Sequence, residues 1–200
     1  MQLIVATRNA HKTREIQRIL GPAFTVTDLS AHPEIPDIRE TGKSFEENAM
    51  LKAVGASRHL PGLIVADDSG LEVDALGGAP GIFSARYAGE NATDKQNVDR
   101  LLDELARTGT EKTRGSARFR CVIALARQGE LLRTFEGIVE GTIVERARGL
   151  HGFGYDPIFV PRGFEETFAE LPAEVKNTIS HRAKAIRGLI GKLTAFKTAD

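Results

Sequence analysis

Short apolar runs alternate with helix-like patterns in the first half of the chain. Residues 2–6 form an apolar run that predicts a strand, and the helix pattern after it ends at Gly21-Pro22. Residues 24–29 predict a second strand, and the polar, proline-containing stretch 32–43 predicts a loop. The next strand is predicted from 63–66, which is apolar throughout and therefore typical of a strand buried on both faces.

Three helix starts are predicted from capping residues. Asn9 is a suitable N-cap for the first helix. Ser44 and Glu47 have the spacing of a capping box, and the helix that they begin is predicted to run to about Leu60. The same spacing recurs in Thr93-Asp94-Lys95-Gln96, before a stripe of leucine and valine residues at helical spacing.

Three further strands are predicted in the second half of the chain. Residues 117–126 and 130–139 predict two strands around a turn at Gln128-Gly129, and 141–146 predict a third. A last helix is predicted to begin near Ser180, with Ile186, Leu189, Ile190 and Leu193 on its core face. Alternating elements followed by a meander favour an α/β fold with a mixed sheet, and the chain shows no linker.

Composition excludes several classes of protein. The 200 residues include 27 Lys+Arg and 27 Asp+Glu, so the net charge is zero and nothing favours a nucleic-acid partner. Hydrophobic residues make up 41%, enough for a sizeable core. No apolar run approaches the ~18 residues of a membrane span. The start of the chain lacks the features of a signal peptide, and the single Cys121 predicts a buried apolar side chain, so we expect a cytoplasmic protein.

Thr7-Arg8-Asn9, between the first strand and its helix, is a candidate phosphate site. A helix N-terminus presents unpaired N–H groups and a positive dipole end, and Lys12 adds charge in the first turn. The alternative is that Asn9 only caps the helix.

Asp67-Asp68 is a candidate metal or acid–base site. Two adjacent carboxylates at the end of a buried strand are costly unless a cation or a donor compensates them. Successive strand residues point to opposite faces, so at most one carboxylate is expected to face a given site. Turn chemistry in Asp67-Asp68-Ser69-Gly70 is the alternative. Glu40 is a further possible ligand. Lys52 is expected to face solvent, and the alternative is that it faces a triphosphate.

Two later segments could contact a ligand. Glycines flank Phe153 in Gly152–Pro157, so an aromatic ring beside Asp156 could stack on a base, although an ordinary turn explains the same residues. Ser180-His181-Arg182 is rich in donors, and Arg182 could bind a carbonyl or a phosphate. Alternatively, Ser180 is an N-cap and its two neighbours are surface residues.

Six short motifs follow one another along the chain. They are Thr7-x-Asn9-x-x-Lys12, Glu40-Thr41-Gly42 with Phe45-x-Glu47-Asn48-Ala49, Ala66–Leu71, Leu76–Gly81, Phe153–Pro157 and Ser180-His181-Arg182. Any one of them alone would be weak. In this order, over residues 2 to about 192, they resemble the Ham1-type non-canonical purine nucleoside triphosphate pyrophosphatases.

The resemblance implies an ITPase-like α/β fold with an elongated mixed sheet flanked by helices, and a homodimer. It implies one domain over residues 1–200, with two lobes and the active site in the cleft between them. The implied reaction is Mg²⁺-dependent hydrolysis of ITP, dITP or XTP to the monophosphate and pyrophosphate, with Glu40 and Asp68 holding the metal and Asp68 accepting the proton. The implied substrate-binding residues are Thr7, Arg8, Asn9, Ala10, His11, Lys12, Ser69, Phe153, Gly154, Tyr155, Asp156, Lys176, His181 and Arg182.

Two other functions stay open at this point. A Maf-like nucleotide pyrophosphatase would have a different base preference. A nucleotide-binding sensor would bind the same ligand without turnover, although it would have little need for two carboxylates beside an anion.

Overall fold

The computed structural model describes residues 1–108 and 115–197. The strands of the described residues are β1 Gln2–Val5, β2 Thr25–Asp28, β3 Ile64–Val73, β4 Ser116–Arg127, β5 Glu130–Ile143 and β6 Phe159–Pro161. The helices are α1 Ala10–Leu20, α2 Phe45–Ser57, α3 Asp94–Arg107, α4 Ala173–Ile179 and α5 His181–Lys197. None of these helices is both long and apolar enough to cross a membrane.

The strands form one mixed sheet in the order β2-β1-β3-β4-β5-β6. β1 pairs in parallel with β2 and β3, whereas β5 pairs antiparallel with β6. β4 and β5 are joined by Gln128-Gly129, and both residues have the positive φ that a tight hairpin turn requires. The predicted α/β class with a mixed sheet is therefore confirmed.

The chain divides into two compact units. Unit 1 comprises Met1–Asp68, Cys121–Gly137 and the chain from His181 onward, and unit 2 comprises Ser69–Arg120 and Ile138–Ser180. Each unit has its own apolar core. The core of unit 1 includes Ile16, Val65 and Ile186, and the core of unit 2 includes Leu101, Phe159 and Phe168. The predicted placement of the active site between two lobes stays a prediction.

Helix starts follow the predicted caps closely. Asn9 Oδ1 accepts from the N–H groups of His11 and Lys12, and α3 has the complete capping box. α2 begins after Ser44 as predicted, but Glu47 does not complete the box. Its Oε2 accepts from the N–H of Lys43 at 2.6 Å, so this side chain holds the preceding loop. α2 also ends at Ser57, earlier than expected.

Several strand predictions are wrong. β3 continues through Asp67-Asp68-Ser69-Gly70 to Val73, so these residues do not form a turn. The separate strand over 141–146 does not exist, because β5 runs unbroken to Ile143. Gly141 lies inside β5, where a Cβ would come within 2.3 Å of Val160 O on β6. The glycine therefore allows close packing and does not end the strand. β6 and α4 were not predicted.

Candidate active site

Asp67 is a buried carboxylate of unit 1 with three donors around it. It lies on β3, is 1% exposed, and its Oδ1 is 2.5 Å from Lys12 Nζ. Its Oδ2 accepts from Arg182 Nε and from Cys121 Sγ, both at 3.1 Å. Burial alone would raise the pKa of Asp67, but Arg182 and Lys12 outweigh it and hold that pKa well below its ordinary value. The lowered pKa favours the anionic form of Asp67, and this carboxylate anchors Lys12.

Asp68, the next residue, has different surroundings. Its Oδ1 accepts from Lys52 Nζ at 3.1 Å, and the same ammonium donates to Glu40 Oε1 at 3.0 Å. Burial raises the pKa of Asp68, an effect that the nearby ammonium groups of Lys52 and Lys12 reduce without cancelling. Among the described residues, Asp68 Oδ2 is buried and has no hydrogen-bond partner. This oxygen keeps its capacity to bind a ligand.

Lys52 corrects one sequence prediction. The side chain was expected in solvent, but only 9% of the residue is exposed. α2 turns its small residues Ala49, Ala53 and Ala56 inward, and Lys52 lies on this buried side of the helix. Burial alone would lower the pKa of Lys52, but the carboxylates of Asp68 and Glu40 outweigh it and the pKa is raised. The ammonium therefore stays charged between two acidic groups.

The segment before α1 is held by local hydrogen bonds. The N–H of Asn9 donates to Thr7 Oγ1 at 3.1 Å, and Asn9 itself caps the helix. Arg8 reaches away to the loop that follows β2, where it donates to Asp37 Oδ1 and to the carbonyl of Ile35. Because Lys12 contacts Asp67, the structure brings the predicted phosphate segment next to the acidic residues of β3.

The N-terminus of α5 supplies a further buried cation of unit 1. Arg182 is 2% exposed and pairs with Glu15 as well as with Asp67. His181, the first residue of α5, is also buried. Gly137 on β5 allows the helix to approach closely, since a Cβ there would lie 2.1 Å from the carbonyl oxygen of His181.

The predicted aromatic loop belongs to unit 2 and is built around Asp156. Asp156 Oδ2 accepts from the N–H of Phe153 at 2.9 Å and from Lys176 Nζ at 2.5 Å. The ammonium of Lys176 also lies 5.1 Å from the centre of the Phe153 ring, a cation–π distance. Asp156 and Lys176 are both buried. Because Asp156 also accepts from a backbone N–H, this ion pair holds the backbone of the loop in place.

The other predicted residues of unit 2 take different positions. Tyr155 is buried, and its hydroxyl donates to the carbonyl of Ser84 at 2.9 Å. The N–H of Gly154 donates to Asp94 Oδ2. Ser69 lies on β3, directly after Asp68.

Sequence reasoning missed two partners of the site. Glu15 follows Lys12 by three residues in α1, a spacing that places both side chains on one side of the helix and could have suggested a shared role. Cys121 was correctly predicted to be buried. Its hydrogen bond to Asp67 could not be anticipated, because it depends on β4 lying beside β3 in the sheet.

A metal ion would find two carboxylates here. In the described part of the chain, no three histidine, cysteine or acidic side chains come together as a metal site. Mg²⁺, however, commonly uses one or two carboxylates together with waters and substrate phosphates. Glu40 and Asp68 lie on either side of Lys52, and the unpartnered Asp68 Oδ2 fits the oxygen chemistry that Mg²⁺ requires.

Comparison with known proteins gives consistent matches over nearly the full length. Residues 3–192 match the Ham1 family. The dITP/XTP pyrophosphatase of Bacillus licheniformis is 48% identical over 189 residues, which is 94% of this chain and 95% of that protein. That of Bacillus subtilis is 46% identical, with 97% and 98% covered. The Ham1 protein structure from Staphylococcus aureus matches with a TM-score of 0.84 and 41% identity over 98% of this chain and 99% of that one.

Proposed function

The chain belongs to the Ham1 family, and from this premise we propose that it hydrolyses non-canonical purine nucleoside triphosphates, namely dITP, ITP and XTP, to the monophosphate and pyrophosphate. The observation that carries the proposal is the pair of neighbouring carboxylates with opposite environments. Asp67 is fully compensated and anchors Lys12, whereas Asp68 keeps a buried oxygen without a partner among the described residues.

Glu40 and Asp68 are the residues that would hold Mg²⁺. When bound, the ion would neutralise phosphate charge and polarise the phosphorus–oxygen bonds. Both carboxylates are oriented by Lys52, which donates to one oxygen of each. The second oxygen of Asp68 has no protein donor among the described residues, so it is available to the ion.

Two ammonium groups are available for the triphosphate. Lys12 and Lys52 both stand beside β3, and each is placed by an ion pair with a β3 carboxylate. The N-terminus of α1 adds its positive dipole end, which favours an anion. These groups would offset the charge of the polyphosphate beside the carboxylates of β3.

Asp68 is the proposed proton acceptor. A carboxylate takes the proton of the attacking water more effectively when its pKa is raised, and burial raises the pKa of Asp68. Asp67 cannot share this role, because Arg182 and Lys12 hold its pKa low. The two adjacent carboxylates therefore have different roles. Asp67 orients Lys12, and Asp68 accepts the proton.

The residues proposed to bind the base come from the resemblance. Phe153 would stack on the purine, and a donor such as Arg182 or a backbone N–H would satisfy the 6-keto oxygen. The 6-amino group of adenine would leave that donor unpaired, and such a mismatch can reduce turnover by about 10⁴-fold. Lys176, His181 and Asp156 are further residues proposed from the resemblance to bind the nucleotide. We also propose that the protein forms a homodimer.

Product analysis over a panel of nucleotides tests the proposed function. With Mg²⁺, we expect equimolar monophosphate and pyrophosphate from ITP, dITP and XTP, and far less product from ATP and from pyrimidine triphosphates. A preference for pyrimidines would favour a Maf-like activity. Tight binding of ITP without any product would make the protein a sensor.

A further inference from the structure

Glu40 lies in an irregular segment and needs support to reach Lys52. That support comes from the first turns of α2. The N–H of Gly42 donates to Asn48 Oδ1 at 2.8 Å, and the N–H of Lys43 donates to Glu47 Oε2 at 2.6 Å. Two consecutive peptide groups, beginning two residues after Glu40, are thus fastened to side chains of one helix.

Asn48 is the buried member of this pair of contacts. It is 0% exposed, whereas Glu47 lies at the surface. Asn48 also precedes Lys52 by four residues, so the two side chains lie on the same face of α2. One helix face therefore holds the segment twice, through the backbone of Gly42 and through the carboxylate of Glu40.

Gly42 shows how closely this segment approaches α2. A Cβ at this position would lie 2.6 Å from Glu47 Cβ and 2.7 Å from Asn48 Oδ1. A real Cβ essentially never comes within 3.0 Å of another heavy atom in this way, so any larger residue would force the segment away from the helix. Because Gly42 has no side chain, its backbone can approach the side-chain amide of Asn48 closely enough to donate a hydrogen bond to it.

The second polar atom of Asn48 sets it apart from an ordinary structural asparagine. Among the described residues, Asn48 Nδ2 is buried and has no hydrogen-bond partner. Buried polar atoms are nearly always paired, and an exception calls for an explanation such as a ligand or an ordered water.

We propose that Asn48 is a positioning residue, which fixes Glu40 for Mg²⁺ binding by holding the backbone of Gly42. The inference rests on the proposed function, because it takes Glu40 as a metal ligand. Residues that orient metal ligands in this way typically contribute about 10- to 100-fold to metal affinity.

Asn97 in unit 2 is a matched control. It is also a buried asparagine on a helix, and its Oδ1 accepts from the N–H of Ala88 at 2.7 Å. Its Nδ2 donates to the carbonyl of Ala85 at 3.2 Å, so both of its polar atoms are paired. Asn97→Ala therefore removes a similar contact between a helix and a loop without touching Glu40.

Mn²⁺ binding tests the inference without turnover. The electron paramagnetic resonance signal of free Mn²⁺ is followed during titration with each protein, in the presence of an α,β-methylene analogue of ITP. We expect Asn48→Ala to weaken Mn²⁺ binding by about 10- to 100-fold relative to the wild type. Asn97→Ala should bind Mn²⁺ like the wild type.

Three results would overturn the inference. Wild-type affinity in Asn48→Ala removes the positioning role while leaving the proposed function intact. Equal losses in Asn48→Ala and Asn97→Ala would show a general effect on folding. Absence of Mn²⁺ binding by the wild-type protein would contradict the metal site itself. If Asn48→Ala does not fold, Gly42→Ala tests the same contact from the loop side, and wild-type Mn²⁺ affinity in that variant would also overturn the inference.

Discussion

Each of the two units contains a buried lysine paired with an aspartate. The two pairs differ in the hydrogen-bond partners of the aspartate oxygens. In unit 1, Lys52 contacts Asp68 at 3.1 Å, and Asp68 Oδ2 has no partner among the described residues. In unit 2, Lys176 contacts Asp156 Oδ2 at 2.5 Å, and the same oxygen accepts from the N–H of Phe153. The first pair therefore leaves Asp68 Oδ2 available to a ligand, whereas in the second pair Asp156 Oδ2 holds the loop around Phe153.

This difference suggests how buried ion pairs can be assigned to chemistry or to architecture. A buried charge is costly, so its hydrogen-bonding capacity is normally filled. An aspartate whose oxygen is occupied by a backbone N–H and an ammonium holds its own loop in place. An aspartate with a spare buried oxygen can accept a metal ion or a proton. Asp68 and Asp156 should therefore respond differently to the same substitution.

The largest effect is expected for Asp68→Asn. Loss of the proton acceptor should lower kcat by about 10²- to 10⁴-fold. Thermal stability should change little, because Lys52 keeps Glu40 as a partner and a neutral amide avoids the cost of burying a charge. Pyrophosphate release and thermal unfolding measure the two quantities. Asp99→Asn, an exposed position on α3, is the control, and a variant of Asp68 that keeps most of its activity would remove the catalytic role.

Asp156→Asn should reverse this pattern. The substitution leaves the Lys176 ammonium buried without its carboxylate, and breaking such a pair costs about 3–5 kcal/mol. Urea unfolding should show this loss of stability. An unchanged free energy of unfolding, together with a raised KM for ITP, would instead mean that Asp156 serves the base and not the loop.

Gly152→Ala should disturb the same loop from its other side. A Cβ at Gly152 would lie 2.0 Å from Asp156 Oδ2, and the residue has a positive φ of 76°. Gly154 also has a positive φ but has nothing within 4 Å of its Cβ position, which makes it the matched control. Both alanines lose about 1–2 kcal/mol to the left-handed backbone. Overlap should add about 1–3 kcal/mol at Gly152 alone.

Equal losses of stability in these two glycine variants would contradict the central position of Asp156. Urea unfolding provides the measurement. The midpoints of the two variants are compared with that of the wild type, provided that the dependence of the unfolding free energy on urea concentration is the same.

The smallest effect is expected for Cys121, which donates a weak hydrogen bond to Asp67. Cys121→Ser keeps a donor of similar size, whereas Cys121→Ala removes it while Arg182 and Lys12 still compensate Asp67. We therefore expect near wild-type kcat/KM for serine and a loss of about 1 kcal/mol in stability for alanine. A large loss of activity in the serine variant would show that Asp67 tolerates no change in its partners.

The sequence could predict what depends on neighbours in the chain. Asn9 and Thr93 were correctly placed as caps because a cap acts on residues two or three positions away. The burial of Lys52 and the unbroken course of β5 through Gly141 were not predicted, because both depend on other strands and loops. Lys52 is buried by contact with β3 and Glu40, and Gly141 is packed against β6. Adjacent carboxylates could be recognised as unusual, but their unequal environments depend on the tertiary structure.

The most direct test of the account is hydrolysis of ITP in water enriched in ¹⁸O, with Mg²⁺ present. If Asp68 takes the proton from a water that attacks the α-phosphorus, the label must appear in the monophosphate, and the pyrophosphate must remain unlabelled. Asp68→Asn should then give almost no labelled product. Label in pyrophosphate, or release of labelled orthophosphate with inosine diphosphate, would contradict the account.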